Sequence, residues 1–575
     1  MLGKLFRYVE KYKKYMILAI FCIVTETIFE LIIPLIMADI IDVGVANADR
    51  IYILQKGILM VICALISLVL GTGSAKFSAI CGQGMGAELR KAEYRKLQSF
   101  SFGNIDHFST PSLVTRLTND VTMVQNSIST GLRPACRAPI MMCTSLVVSF
   151  VMNAKLAIVF FIAVPILGFL LFQIISHVRP MYVKMQGAID LVNRIIQENL
   201  TAIRVVKSYV RGDYEVEKFK EVNDNLCTIS ERAFCIAVLN MPAMQFVMYV
   251  TIICILWLGG KLIFVGNMEV GKLIGFLSYV LQVLNSLMMI SNVFMMLTRA
   301  LTSGKRIMEV LEEEIEITEE KAKDISVKRG DISFEHVYFK YKKEAKEYVL
   351  SDISFEIKGG QTIGIIGETG AAKSTLIQLI PRLYEATKGE IRIDGRPVCE
   401  YPLDHLRDGI AVVLQKNTLF SGTVMENLRW GKEDASIEEI EEACKIACVD
   451  EFIDRLEKGY DTELGQGGVN VSGGQKQRLC IARAILKKPK VLILDDSTSA
   501  VDMDTEAKIR ERLENSLPDM TKIIIAQRIS SVCHADQIII LEDGKINAIG
   551  NHEMLLKENK IYQEIYSSQQ EGVGL

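Results

Sequence analysis

Six apolar runs, at roughly 15–41, 54–80, 132–152, 155–178, 234–264 and 272–298, fill the first half of the chain. Each can cross ~30 Å of hydrocarbon as a helix. In lipid every backbone N–H and C=O has to be satisfied within its own segment, so runs of this length are restricted to helices. Composition requires the same segregation: half of the 575 residues are apolar and mean hydropathy is +0.26, yet 23% are charged. The charged residues fall in the N-terminal stretch, in two long connections at 81–131 and 179–233, and beyond the sixth run. The other connections are short, ending in Ala46-Asn-Ala-Asp49 or consisting of little more than Asn153-Ala-Lys155 and Val265-Gly-Asn-Met268. Lys and Arg in the N-terminus and long connections place those on the cytoplasmic side of a plasma membrane. An even number of spans then returns the C-terminal half to the cytoplasm. Residues 1–14, with Leu5, Tyr8 and Val9 among cations, suit a helix on the inner surface. Lys11, Lys13 and Lys14 lead straight into a full-length span, so a cleaved leader is not expected.

The long connections keep helical periodicity over 83–99 and 188–220, which predicts membrane helices extended into the cytoplasm. Each is interrupted once, at Phe102-Gly-Asn-Ile-Asp-His-Phe108 and at Ser208-Tyr-Val-Arg-Gly-Asp213. Glu26 and Glu30 stand one turn apart in the first span, where a charge faces the bundle interior or water. They line a substrate path or satisfy neighbouring helices. Met241, Met244, Met248, Met288, Met289, Met295 and Met296, with Gln245, Gln282 and Asn285 among them, suit a deformable cavity for apolar compounds or ordinary membrane packing.

Residues 311–324 form a charged connector, and from Gly330 the pattern turns strand-like. Strands and helices then alternate, which predicts an α/β domain. The expected boundaries are 1–310 for the membrane domain, 311–329 for the linker and 330–575 for the C-terminal domain. The apolar strand Thr362–Ile366 runs into Gly367, Glu368, Thr369, Gly370, Ala371, Ala372, Lys373, Ser374 and Thr375, followed by a helical pattern. A strand, a Gly-bearing loop and a helix opening at Lys-Ser/Thr form a phosphate-binding loop. Its N–H groups would cradle phosphates at the helix N-terminus, Lys373 would reach the β- and γ-phosphates, and Ser374 would hold Mg²⁺. Ala372 stands where this motif has Gly. A second apolar strand, Val491–Asp496, ends in two carboxylates: Asp495 on the Mg²⁺ side and Asp496 near the attacking water. Val471-Ser-Gly-Gly-Gln475 opens another helix, whose N-terminus is a second anion site.

These motifs, in this order, resemble an ATP-binding cassette (ABC) exporter half-transporter: a type I six-span helical membrane domain followed by an α/β nucleotide-binding domain. The resemblance implies ATP and Mg²⁺ as ligands. It makes Tyr341 the aromatic that stacks on adenine and Gln415 the loop glutamine that senses Mg²⁺. Ser472, Gly473, Gly474 and Gln475 become the signature that completes the ATP site of a partner, with Val471 in place of Leu. It also matches Thr462–Gly465 to an exporter segment, Ser499-Ala-Val-Asp502 to the D-loop, and the two interruptions to coupling helices.

The departures are as informative. The catalytic Glu after Asp495 is Asp496, one methylene shorter, and a misplacement of ~1 Å can cost ~10²-fold. The switch histidine is Gln527, which can hydrogen-bond a phosphate but carries no charge. Ala372 is strained if its φ is positive and tolerated if not. The pattern implies the degenerate half of a heterodimeric, multidrug-type exporter. Its partners would be a second half-transporter with the consensus Glu and His, membrane lipid, and a small amphipathic compound as substrate. A lipid or peptide exporter of the same fold, or an ATP-binding regulatory subunit, are the alternatives. A net charge of −3 argues against bulk nucleic-acid affinity. The 13 cysteines show no metal or disulfide spacing.

Overall fold

The structure, a computed structural model, describes residues 2–342, 344–497 and 501–571. The chain divides into two compact units, one of residues 1–96 and 111–312, the other of residues 97–110 and 313–575. Residues 499 and 500 of the D-loop match lie outside the described residues.

Among the described residues, six helices, lying wholly or almost wholly in the first unit, are long and apolar enough to cross a membrane: Gly3–Val45, Arg50–Gln98, Thr110–Met152, Ala154–Thr201, Gly212–Phe264 and Val270–Glu312. Each contains one of the apolar runs. Their outer faces leave Phe161, Phe169, Phe172, Trp257 and Phe264 exposed, as a lipid-facing surface requires. Side chains that cap helix starts make the short connections possible. Asn153 Oδ1 accepts from the N–H groups of Lys155 and Leu156 at 3.0 and 3.2 Å. Asp42 takes the N–H groups of Gly271 and Lys272 at 2.5 and 2.9 Å, which ties the C-terminal end of the first span to the start of the sixth. Glu26 and Glu30 are paired: Arg133 and Arg137, also one turn apart, each reach a carboxylate oxygen at 2.5 Å. Two charges of each sign thus neutralise one another between the first and third spans, the arrangement low-dielectric surroundings demand.

The second interruption does not form a helix at 209–213. The short helix is Ile203–Ser208, and a turn at Tyr209–Arg211, with Val210 at φ 52°, leads into the helix Gly212–Val238.

Among its described residues the second unit has twelve strands. β1 (Ile332–Phe339), β2 (Leu350–Ile357), β4 (Lys388–Ile393) and β5 (Arg396–Pro397) make an antiparallel sheet of order β2-β1-β4-β5. β3 (Thr362–Gly367), β6 (Ile410–Val413), β9 (Val491–Asp495), β10 (Thr521–Ile525), β11 (Gln537–Glu542) and β12 (Lys545–Gly550) make the second, of order β12-β11-β3-β10-β9-β6. β7 (Gly422–Thr423) and β8 (Glu463–Leu464) pair separately. Only β12 runs antiparallel in the second sheet. Its inner strands are apolar almost without interruption because helices cover both faces of a parallel sheet. In register, Ile525 of β10 lies opposite Ile365 of β3 and Asp495 of β9. The carboxyl ends of three neighbouring strands therefore deliver residues 367, 495–496 and 526–527 to one edge, where open α/β sheets bind ligands.

The first interruption belongs to this unit. The helix Phe102–His107 is capped by Ser101 with Asn104 in a reciprocal capping box. Asn104 Nδ2 donates to the Glu314 carbonyl at 2.8 Å, and Asp106 accepts from the Tyr384 hydroxyl at 2.6 Å.

Candidate functional site

β3 ends at Gly367, where a Cβ would collide with the Leu541 carbonyl of β11. The loop then turns through Glu368–Ala372 into the helix Lys373–Leu379. Ala371 is buried and its N–H donates to the Glu368 carbonyl at 3.2 Å. Ala372, immediately before the helix, has φ 65° and ψ 25°. That is the left-handed region, which costs an L-residue with a Cβ ~1–2 kcal/mol. The position therefore takes the conformation for which glycine is suited, and Ala372 holds it under strain.

Lys373 Nζ donates to the carbonyls of Gly367 and Glu368 at 2.7 and 2.8 Å, curled over the loop it follows. Burial pushes its pKa below the ordinary value, and the carboxylates of Asp496 and Asp495 oppose that shift. Ser374 Oγ donates to Asp495 Oδ1 at 3.0 Å. Asp495 is buried, which raises its pKa; the Ser374 hydrogen bond opposes this and the neighbouring Asp496 adds to it. A hydroxyl and a carboxylate held together beside an ammonium and a row of loop N–H groups fit a hard divalent cation bound with phosphate. Gln415 follows β6 and is exposed.

Asp496 and Gln527 face each other. The Gln527 amide donates to Asp496 Oδ2 at 2.8 Å. Asp496 itself sits at φ 48°, and its N–H donates to the Ile525 carbonyl at 3.0 Å. Asp tolerates this left-handed geometry better than most residues because its short polar side chain bonds locally. Two of the three departures from the nucleotide motifs are thus one contact.

Tyr341 is 47% exposed. Its hydroxyl lies 2.8 Å from Thr375 Oγ1, and its ring stands edge-on to Phe339 and Tyr384, with centroids 4.9 and 5.2 Å away. Tyr384 also contacts Phe102 edge-on at 5.9 Å. A continuous chain therefore runs from Asp106 and Phe102 through Tyr384 and Tyr341 to the phosphate-loop helix. Tyr384 belongs to no motif. Only its aromatic character shortly after that helix distinguishes it in the sequence.

The signature residues are elsewhere in this unit. Ser472 caps the helix Gly473–Leu486, accepting from the Gln475 N–H at 3.3 Å while its own N–H donates to Gln475 Oε1 at 2.9 Å. Ser472 and Gly473 are exposed. The result is a regular helix N-terminus presented outward.

The ABC transporter transmembrane region model matches residues 16–287, and the ABC transporter model matches residues 350–499. The "Uncharacterized ABC transporter ATP-binding protein YfiB" of Bacillus subtilis is 41% identical over 552 residues, covering 96% of each chain. The chain belongs to the ABC transporter family. Its membrane region and ATP-binding domain are fused in one polypeptide, as in exporter half-transporters. The "ATP-dependent lipid A-core flippase" of Desulfotalea psychrophila is 31% identical over 82% of each chain. A "Putative multidrug export ATP-binding/permease protein" of Staphylococcus aureus is 35% identical over 84% of this chain and 83% of its own. The solved bacterial Atm1-family ABC exporter with ATP bound superposes with a TM-score of 0.81 over 97% of this chain and 99% of its own, at 23% identity. That likeness establishes the fold. This ABC exporter is therefore a membrane protein that binds ATP, and membership implies ATP hydrolysis by the transporter.

Proposed function

We propose that this half-transporter is the degenerate-site subunit of a heterodimeric exporter. It would move amphipathic or apolar compounds outward across a plasma membrane, with its N-terminus and nucleotide-binding domain in the cytoplasm. The observation that carries this is the pairing of Asp496 with Gln527 at 2.8 Å in a chain whose signature cap is regular. The first weakens the chain's own ATP site, and the second equips it to complete a partner's. Lys373, Ser374, Asp495 and Gln415 would hold MgATP, with Tyr341 against the adenine. Bound Mg²⁺ would supply charge neutralisation on the phosphates. With a short carboxylate and an uncharged switch residue, ATP here would serve mainly as a long-lived clamp. Hydrolysis would occur at the site formed by the partner's catalytic Glu and switch His with Ser472–Gln475 of this chain.

Two exposed apolar patches support an assembly with a second half-transporter. Tyr209 and Val210, at the turn after the helix Ile203–Ser208, are 75% and 88% exposed. Phe420 and Trp430 stack at 4.2 Å near the loop of Gln415 and are 44% and 67% exposed. Such patches mark interaction sites. The multidrug-export relative supports small amphipathic cargo, and the flippase relative favours lipid as a second reading. Proteoliposomes containing this chain and its partner test both. ATP-dependent movement of a cationic dye, with labelled phospholipid left in place, is expected. Movement of phospholipid or labelled peptide alone would overturn the cargo assignment.

A further inference from the structure

The tail helix Lys560–Glu571 packs on the sheet that holds the nucleotide motifs, sharing a core with Ile366 of β3 and Ile538 and Ile540 of β11. Tyr562 is fully buried, and His552 Nδ1 lies 2.7 Å from its hydroxyl. Tyr562 and Leu555 share a core with Ile366 at the end of β3 and with Ala526 and Ile529, which flank the switch residue Gln527. Two turns beyond Tyr562, Gln569 commits its whole amide to the switch loop. Its Nε2 donates to the Gln527 carbonyl at 2.8 Å, and its Oε1 accepts from the Ile529 N–H at 2.9 Å.

A donor and an acceptor offered to residues i and i+2 are what a neighbouring strand provides. Gln569 provides them just past the end of β10, where the ladder stops. The backbone is held on both sides of Arg528, so the Gln527 side chain has few directions open to it. The one it takes is toward Asp496. We infer that Gln569 is a positioning residue for the nucleotide site, fixing the switch loop so that Gln527 is presented to Asp496 and to the γ-phosphate. Nothing in the nucleotide motifs points to it, because it acts from a helix more than forty residues after Gln527 (Gln527 to Gln569).

The assignment of Gln527 to the γ-phosphate rests on the preceding reading of the site; the contact of Gln569 with the loop does not. Two measurements on the full-length chain in lipid nanodiscs keep them apart. In Gln569→Ala, amide exchange at Ile529 should rise about tenfold, because an N–H loses its acceptor. The amides of 560–568 should keep their protection. Affinity for ATPγS should fall about fivefold with ADP affinity unchanged, matching Gln527→Ala, as one or two lost hydrogen bonds allow. The double variant should be no weaker than Gln527→Ala alone, since both residues act through one contact. Unchanged exchange at Ile529, equal loss of ATPγS and ADP affinity, or additive losses in the double variant would overturn the inference. Raised exchange with unaltered nucleotide preference would overturn the role while leaving the heterodimer reading intact. If Gln569→Ala loosens the tail helix, Gln569→Glu serves instead. It keeps the acceptor for Ile529 but not the donor for Gln527, and it must still weaken ATPγS relative to ADP.

Discussion

The phosphate-loop site and the signature turn are built from the same device, a helix N-terminus aimed at an anion, yet they differ in condition. At the signature, Ser472 and Gln475 satisfy each other in a reciprocal cap and the backbone is relaxed. At the phosphate loop, Ala372 is held at φ 65°, and Asp496, just past the end of β9, is at φ 48° and bonded to Gln527. Strain of this kind persists only where the surroundings over-determine it. On the reading proposed above the two regions serve different ATP molecules, so one would act as a holding site while the other stays fit for a partner's turnover.

The largest expected effect comes from damaging the intact region. Gly474→Asp places a carboxylate at the helix N-terminus where phosphate charge belongs, and turnover of the two-subunit complex should fall by ~10²-fold or more. Steady-state ATPase of the complex checks this; near-normal turnover would place the working site elsewhere. Repairing the weak region should do less. Asp496→Glu with Gln527→His should change turnover by no more than about threefold, partly because Glu bears the left-handed backbone less well than Asp. A large gain would mean that the site facing this phosphate loop is otherwise complete.

Smaller still is Ala372→Gly. Removing the Cβ from a left-handed position should stabilise the folded domain by ~1 kcal/mol. Denaturant unfolding would read it, and an unchanged stability would show that Ala372 bears this conformation without strain. The last concerns pH in Mg²⁺-free buffer. Asp495 is raised above its ordinary 3.8 by burial, so folding disfavours its ionised form. Its contribution to stability is full below its unfolded pKa and lost as pH rises through the folded value. Asp495→Asn should therefore raise the melting temperature at neutral pH by about 2 °C. The advantage should vanish as the solution is acidified past 3.8, and a constant difference across pH would contradict it.

Much of this was legible in residues. Six spans follow from run length alone, because lipid leaves the backbone no other solution. The signature cap could be read from Ser472 and Gln475 three residues apart, since that spacing lets each satisfy the other's N–H. Other features depend on distant chain. Glu26 and Glu30 announce a polar site in the membrane, but Arg133 and Arg137, 107 residues away in each case, become their partners only through helix packing. The sign of φ at Ala372 is set by how tightly the loop must turn into its helix, which the residue itself does not encode. The second short helix lies at Ile203–Ser208 rather than at 209–213, because the residues that break helical periodicity form the turn after it. Tyr384 and Gln569 carry no motif; tertiary packing alone brings them to the site.

The measurement that bears most directly on the account is ATPase activity of this chain purified alone and co-purified with a candidate partner, at matched concentration of this chain. Little turnover alone and full turnover in the mixture are expected. Robust turnover by the chain alone would show that Asp496 and Gln527 make a competent hydrolytic site, and would contradict the division of labour proposed for it.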